Sequence, residues 1–202
     1  MKDLVTQKIS FLEYLELEEQ SEGKHEYHDG FVWAMVGGTL NHGIISGNAF
    51  AALSSVLRKK DGNNCKPINS DVKIFIESAN RGVYPDAMVI CGKFDYYLNR
   101  KDTVINPKLI IEVLSPSTAA FDRGDKFRFY KSLPSFREYI LIHQDQPFVE
   151  GYYWEDKELW RISHAIGLEE NIQIHSIEAE IYLKDIYAFI ELSGSTQTKL
   201  DL

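Results

Sequence analysis

The short signatures that assign chemistry on sight are missing from this sequence. It contains no GxxxxGK[ST], GxGxxG, GxSxG or HExxH, so phosphate-loop, dinucleotide-fold, hydrolase-elbow and zincin readings have no support. Cysteine is nearly absent. Cys65 and Cys91 form no CxxC and have no Cys/His cluster nearby, which argues against a structural zinc site and predicts two free thiols in a reducing interior. Long apolar runs are also missing. No stretch reaches the about 18 apolar residues of a membrane span, and an N-terminus carrying Lys2, Asp3, Gln7 and Lys8 does not read as a signal peptide. The expectation is a soluble, cytoplasmic protein with no membrane partner. Positive charge is the scarcer sign: 22 Lys and Arg against 30 Asp and Glu give a formal net charge of −8. This balance counts against tight, non-specific binding to nucleic acid, which draws on Lys and Arg neutralising phosphates, but it leaves room for a local basic groove.

What is present suits one globular domain. The chain has 202 residues, 44 % of them hydrophobic and 26 % charged, with an expected core over about 10–190 and a fraying polar tail over 194–202. Ser10 and Glu13 form a capping-box pattern opening a helix from Phe11 to about Gln20. Asp29-Gly30 is a hairpin turn between strands at about 25–28 and 31–36. Asn41 can cap a helix over about 42–59, in which Ile45, Ala49, Ala52, Leu53, Val56 and Leu57 recur at helical spacing. Strands are expected at 71–76, 83–90 and 108–114, the last nearly all apolar and therefore covered on both faces. A helix over about 120–132 ends at Pro134, a strand follows at 137–142, and short strands at 148–154, 158–164 and 171–175 make a meander before a last helix at about 183–191. The order predicts an α/β fold with a mixed central sheet flanked by helices and a β-meander toward the C-terminus.

Within this pattern two carboxylates stand out. Asp86 precedes the apolar run Ala87 to Ile90, and Glu112 lies inside Leu109 to Leu114. Lone charges in such strands are rarely buried without a partner or a metal. Two carboxylates on neighbouring strands can hold a divalent cation through oxygen, which suits hydrolysis of a phosphodiester. A structural ion pair is the plainer alternative.

The residues around this pair carry a family resemblance. Tyr84-Pro85-Asp86 followed by Ile111-Glu112-Val113-Leu114 resembles the signature of the PD-(D/E)XK nuclease superfamily. More narrowly, the chain resembles the Uma-type putative restriction endonuclease family, a former domain of unknown function. The matching stretches are His25 to Gly30, Ser70 to Lys73, Tyr84 to Ala87, Ile111 to Thr118, Asp122 to Lys126 with Tyr130, and Glu138-Tyr139. The resemblance implies a restriction-endonuclease-like fold and an Mg²⁺- or Mn²⁺-dependent endonuclease acting on nucleic acid, DNA in the first place. It implies that Asp86, Glu112 and the backbone carbonyl of Val113 hold the metal and that Asp86, Glu112, Lys126 and Glu26 form the catalytic set. The signature places Lys two residues after the acid, where this chain has Leu114. Lys126 on the following helix is the candidate for a migrated lysine, with Lys73 and Lys108 as weaker substitutes.

Plainer readings stand beside these. Lys126 can pair with Asp122 one turn away, Glu26 can be a solvated hairpin carboxylate, and Asp71 and Asp122 can start a strand and cap a helix. Tyr130 reads as core, His42 as a helix-start surface residue, and the stripe Tyr152, Tyr153, Trp154, Trp160 as core or a dimer face more readily than a base-stacking surface. Two other functions fit the same residues: a catalytically inactive nuclease-fold module binding nucleic acid or a partner protein, and a metal-dependent hydrolase of another substrate. Cutting both strands of a duplex is easiest for two symmetric sites, so a homodimer is expected.

Overall fold

The computed structural model describes residues 7–156 and 159–191; the expected frayed tail at 194–202 lies outside them. The chain opens with helix α1 (Phe11–Glu19) and the hairpin β1 (His25–His28) and β2 (Phe31–Ala34). The capping box forms as written: Ser10 Oγ accepts from the Glu13 amide, and Glu13 Oε2 accepts from the Ser10 amide at 2.7 Å. Asp29 and Gly30 both take positive φ, 48° and 96°, the geometry of a tight type I′ turn. Helix α2 (Leu40–Arg58) follows. Its cap is Thr39 rather than Asn41, because the Thr39 hydroxyl accepts the His42 amide and places Asn41 inside the first turn.

Seven strands come next or after short turns: β3 (Cys65–Asn69), β4 (Lys73–Ile76), β5 (Arg81–Val83), β6 (Ala87–Cys91), β7 (Thr103–Val104), β8 (Leu109–Leu114) and, beyond the helical segment, β9 (Glu138–His143). The strand expected over 83–90 is two strands. Pro85 has no amide to donate to a ladder, and the chain changes sheets at Tyr84-Pro85-Asp86, so Asp86 precedes β6 instead of lying within it. The helix expected over 120–132 is broken: α3 (Ala119–Phe121) and α4 (Phe127–Tyr130) are joined by a π-type turn over Asp122–Lys126. The meander is present as β10 (Phe148–Asp156), β11 (Leu159–Ile166) and β12 (Asn171–Ile174), with β13 (Ala179–Tyr182) closing a hairpin on β12. The last helix, α5 (Leu183–Ile186), is shorter than expected.

A mixed six-stranded sheet, β11-β10-β9-β8-β6-β3, forms the centre. Its β8–β9 pair is parallel and connected over α3 and α4; its other pairs are antiparallel. A second sheet, β2-β1-β5-β4-β7, lies beside it. Strand β8 is buried along its whole length because both faces are covered. On one side Ala87, Val89, Leu109, Ile111 and Val113 pack against Ile45, Ala49, Leu53 and Leu57 of α2. On the other, Met88, Ile110 and Leu114 pack against Tyr130, Leu133, Phe136 and the second-sheet residues Ile74, Ile76 and Val83. Helix α1 covers the second sheet with Phe11, Tyr14 and Leu15. Among the described residues no helix is long and apolar enough to cross a membrane.

The two cysteines are not free thiols: Cys65 and Cys91 are joined in a disulfide. The register pairs them directly across β3 and β6. The neighbouring Gly92 amide donates to the Asn64 carbonyl, which leaves the cysteines at the closely spaced, non-hydrogen-bonded position. Nothing in their sequence spacing announces that register.

Candidate active site

Where the two sheets meet, four elements deliver polar side chains to one buried place. The Ala87↔Ile111 pair sets Asp86 opposite Glu112, one step further along the antiparallel ladder. The hairpin strand β1 brings Glu26, and the π-type turn brings Asp122 and Lys126. The wider turn keeps both ends of Asp122–Lys126 facing inward, and both side chains are buried; such turns recur at functional sites.

The contacts are short and specific. Lys126 Nζ lies 2.7 Å from Glu112 Oε1, 3.6 Å from Asp122 Oδ1 and 3.9 Å from Glu26 Oε1. The Tyr130 hydroxyl donates to the same Glu112 Oε1 at 2.8 Å. Asp86 Oδ2 accepts the Val113 amide at 2.7 Å, and His42 Nε2 stands 3.4 Å from that oxygen. Glu26 Oε2 lies 3.0 Å from His28 Nε2, and Glu26 Oε1 accepts the Tyr84 amide at 3.4 Å.

Burial makes this group electrostatically tense. Glu26, Glu112, Asp122 and Lys126 are each at most 6 % exposed, and Asp86 keeps 16 % of its side chain accessible. With Asp86 that makes four carboxylates against one lysine, a formal excess of three negative charges when the histidines are neutral. Burial pushes Glu112 up to about 8, with Lys126 opposing and Asp122 and Asp86 reinforcing the rise. Burial raises Asp86 as well, against the pull of His42 and the Val113 amide. Glu26 goes the other way: burial would raise it, but Lys126 and His28 together hold it below the usual range. Burial would also discharge Lys126, yet Glu112, Glu26 and Asp122 keep it cationic.

The donor set fits a hard divalent cation. Each of the paired carboxylates spends one oxygen on the protein, Oδ2 of Asp86 and Oε1 of Glu112. Among the described residues Asp86 Oδ1 and Glu112 Oε2 make no hydrogen bond or ion pair. Among those residues no three His, Cys, Asp or Glu side chains form a ready-made metal cluster. A cation of the Mg²⁺ type needs only one or two carboxylates and keeps several waters.

The structure therefore brings together Asp86, Glu112, Lys126, Glu26 and Asp122, with Val113 contributing its amide to Asp86. It does not bring Asp71, which pairs on the surface with Lys24. Nor does it bring Lys73, whose ammonium is held by Asp102 and Tyr84. Lys108 precedes β8, at the end of the strand away from Glu112. Of the aromatic stripe, Tyr152 and Trp160 pack against Phe127 in the core and Trp154 stacks on Trp160. Two residues that the sequence reading set aside touch the group. Tyr130 is core, as expected, but its hydroxyl serves Glu112; the spacing of 122, 126 and 130 at one residue per turn was an available signal. His42 is not a plain surface residue, and nothing local to its position reveals Asp86 as its neighbour.

Known proteins resemble this chain along most of its length. Residues 11–184 match the model of the Uma2 family, described as "putative restriction endonuclease". An uncharacterised protein of Synechocystis sp., slr1290, is 37 % identical over 182 residues, covering 89 % of this chain and 92 % of that protein. A second, sll1609, is 35 % identical over 170 residues, covering 84 % and 93 %. The crystal structure of a putative nuclease of the DUF820 group from Anabaena variabilis superposes with a TM-score of 0.69 at 18 % identity, covering 89 % of this chain and 97 % of that one, and so shares the fold. With its mixed α/β architecture and a family match running from α1 into α5, this chain belongs to the Uma2 family of putative restriction endonucleases.

Proposed function

We propose that this protein is a metal-dependent endonuclease that hydrolyses phosphodiester bonds in DNA, with Asp86 and Glu112 holding an Mg²⁺ or Mn²⁺ ion. The observation that carries the reading is the Asp86–Glu112 pair. The half-buried Asp86, just before β6, stands opposite the buried Glu112 of β8, and each spends one oxygen on the protein while the other has no partner among the described residues. The backbone carbonyl of Val113 is the further oxygen donor. When bound, such an ion acidifies a coordinated water and offsets charge on phosphate oxygens.

The chain's own groups supply the rest. Lys126, held cationic at 2.7 Å from Glu112, provides the fixed positive charge beside which a phosphate is bound and its developing charge is stabilised. Glu26 and Asp122 hold that ammonium in the pocket from its other sides. Tyr130 fixes the rotamer of Glu112. DNA as substrate and a homodimer as the working form rest on the family's restriction-endonuclease description and on the geometry of cutting two strands.

The test is cleavage of supercoiled plasmid at low salt with Mg²⁺ and with Mn²⁺, comparing wild type, Asp86→Ala and Lys126→Ala, alongside a generic phosphodiester. Nicking by wild type that disappears in Asp86→Ala and falls steeply in Lys126→Ala supports the assignment; equal nicking by all three refutes it. One observation favours a second reading, a non-cutting module on the same fold. The usual lysine position holds Leu114, and the chain carries a formal net charge of −8. DNA binding without cleavage in either metal would select it.

A further inference from the structure

His42 stands at the mouth of the site and has no part in the scheme above. Its Nε2 lies 3.4 Å from Asp86 Oδ2, the oxygen that also accepts the Val113 amide. The ring has little freedom. A Cβ on Gly38 would come within 2.9 Å of Nδ1 and 3.0 Å of Cγ, so the backbone of the preceding loop lies against its other edge. The helix turn that carries it is tied down at both ends of a short chain of contacts. The Thr39 hydroxyl accepts the His42 amide and donates to Gln144 Oε1 at 2.9 Å. Gln144 is 4 % exposed and follows directly on β9, the strand parallel to the one that bears Glu112. Strand β9, α2 and Asp86 are thereby linked through three polar side chains.

We propose that His42 is a positioning residue for the cation site: its Nε2, 3.4 Å from Oδ2 of Asp86, backs the Val113 amide in holding that oxygen and leaves Oδ1 for the ion. This rests on Asp86 and Glu112 being the metal carboxylates. Donors behind a ligating carboxylate fix its orientation, and removing one typically weakens metal affinity by roughly 10- to 100-fold. A neutral amide placed at the same point substitutes for imidazole, because Gln can present an N–H near the position of Nε2. His42→Gln therefore retains most of the affinity that His42→Ala loses.

The experiment is an Mn²⁺ titration of the full chain, read by the electron paramagnetic resonance of free Mn²⁺, on wild type, His42→Ala, His42→Gln and Asp86→Asn, with melting temperatures of all four in EDTA. The expected result is binding by wild type, no specific binding by Asp86→Asn, about 10-fold or greater weakening in His42→Ala, and near-wild-type affinity in His42→Gln, with His42→Ala melting in EDTA like wild type. Mn²⁺ affinity in His42→Ala equal to that of wild type overturns the proposal. So does equal weakening in both His42 variants with lower melting temperatures in EDTA, which makes His42 a structural helix-end residue. No specific Mn²⁺ binding by wild type overturns the metal reading itself, and this inference with it.

Discussion

Replacing Glu112 by Gln separates the two demands on this side chain, because burial opposes its charge while the proposed cation would require it. In the metal-free fold its carboxyl is pushed up to about 8 from an ordinary value of 4.5, burial being the largest cause. Between those values the folded state keeps a proton that the unfolded chain has released. The stability from this group is therefore fully present below about pH 4.5, declines as pH rises, and is lost above about pH 8. At about 1.4 kcal/mol per unit, a gap of that size corresponds to at most about 5 kcal/mol, or roughly 10–20 °C in melting temperature for a chain of this length. Asp86 shifts in the same direction and adds to the decline. Gln at 112 keeps an acceptor for Tyr130 and Lys126 but does not titrate. Scanning calorimetry in EDTA from pH 5 to 9 should show the wild type losing stability relative to Glu112→Gln, with the variant the more stable of the two above pH 8. Saturating Mn²⁺ should reverse that order at pH 8, because the ion stabilises only the ionised wild-type site. Parallel profiles for the two proteins in EDTA would refute this account of the buried carboxylate.

Four further outcomes follow from the same contacts. Lys126→Ala leaves Glu112, Asp122 and Glu26 without their shared counter-charge; chemical denaturation at pH 7.5 should show a loss of about 3–5 kcal/mol, partly recovered at pH 5. Tyr130→Phe removes the 2.8 Å donor to Glu112 and should cost about 1–3 kcal/mol in the same assay while leaving the near-ultraviolet circular dichroism of the core native in form. Gly82→Ala places a methyl 2.5 Å from Phe11 Cε2 and should destabilise by about 1–3 kcal/mol, with Phe11→Leu restoring part of the loss. The Cys65–Cys91 bond predicts an intact mass about 2 Da lower without reductant. Closing a loop across a separation of 26 residues, it also predicts a loss of about 3 kcal/mol on reduction, read as a drop in melting temperature with dithiothreitol.

Much of this molecule could be read from local rules. The capping box at Ser10, the Asp29-Gly30 turn, the apolar face of α2 and the apolar run of β8 depend only on neighbours within a turn or a strand, and each formed where expected. Asp86 and Glu112 were visible because an isolated charge in an apolar run needs a reason to be there. Lys126 was visible because the family resemblance implies a migrated lysine and this one lies on the segment after β8. What stayed hidden depends on register and on which surfaces meet. That Asp86 sits at a crossing between sheets follows from Pro85 only once two sheets exist. The Cys65–Cys91 bond follows from the alignment of β3 with β6, and the neighbourhood of His42 from the packing of the start of α2 beside Asp86. The excess of negative charge around Lys126 is likewise a tertiary fact. Glu26, Glu112 and Asp122 are spread over almost a hundred residues, and only folding brings them within reach of one ammonium group and withdraws water from them. Sequence determined the element types and named the carboxylates, because periodicity and isolated charge are local properties. Tertiary structure decided which of the charged residues share one low-dielectric site, because distance and desolvation belong to the packed chain.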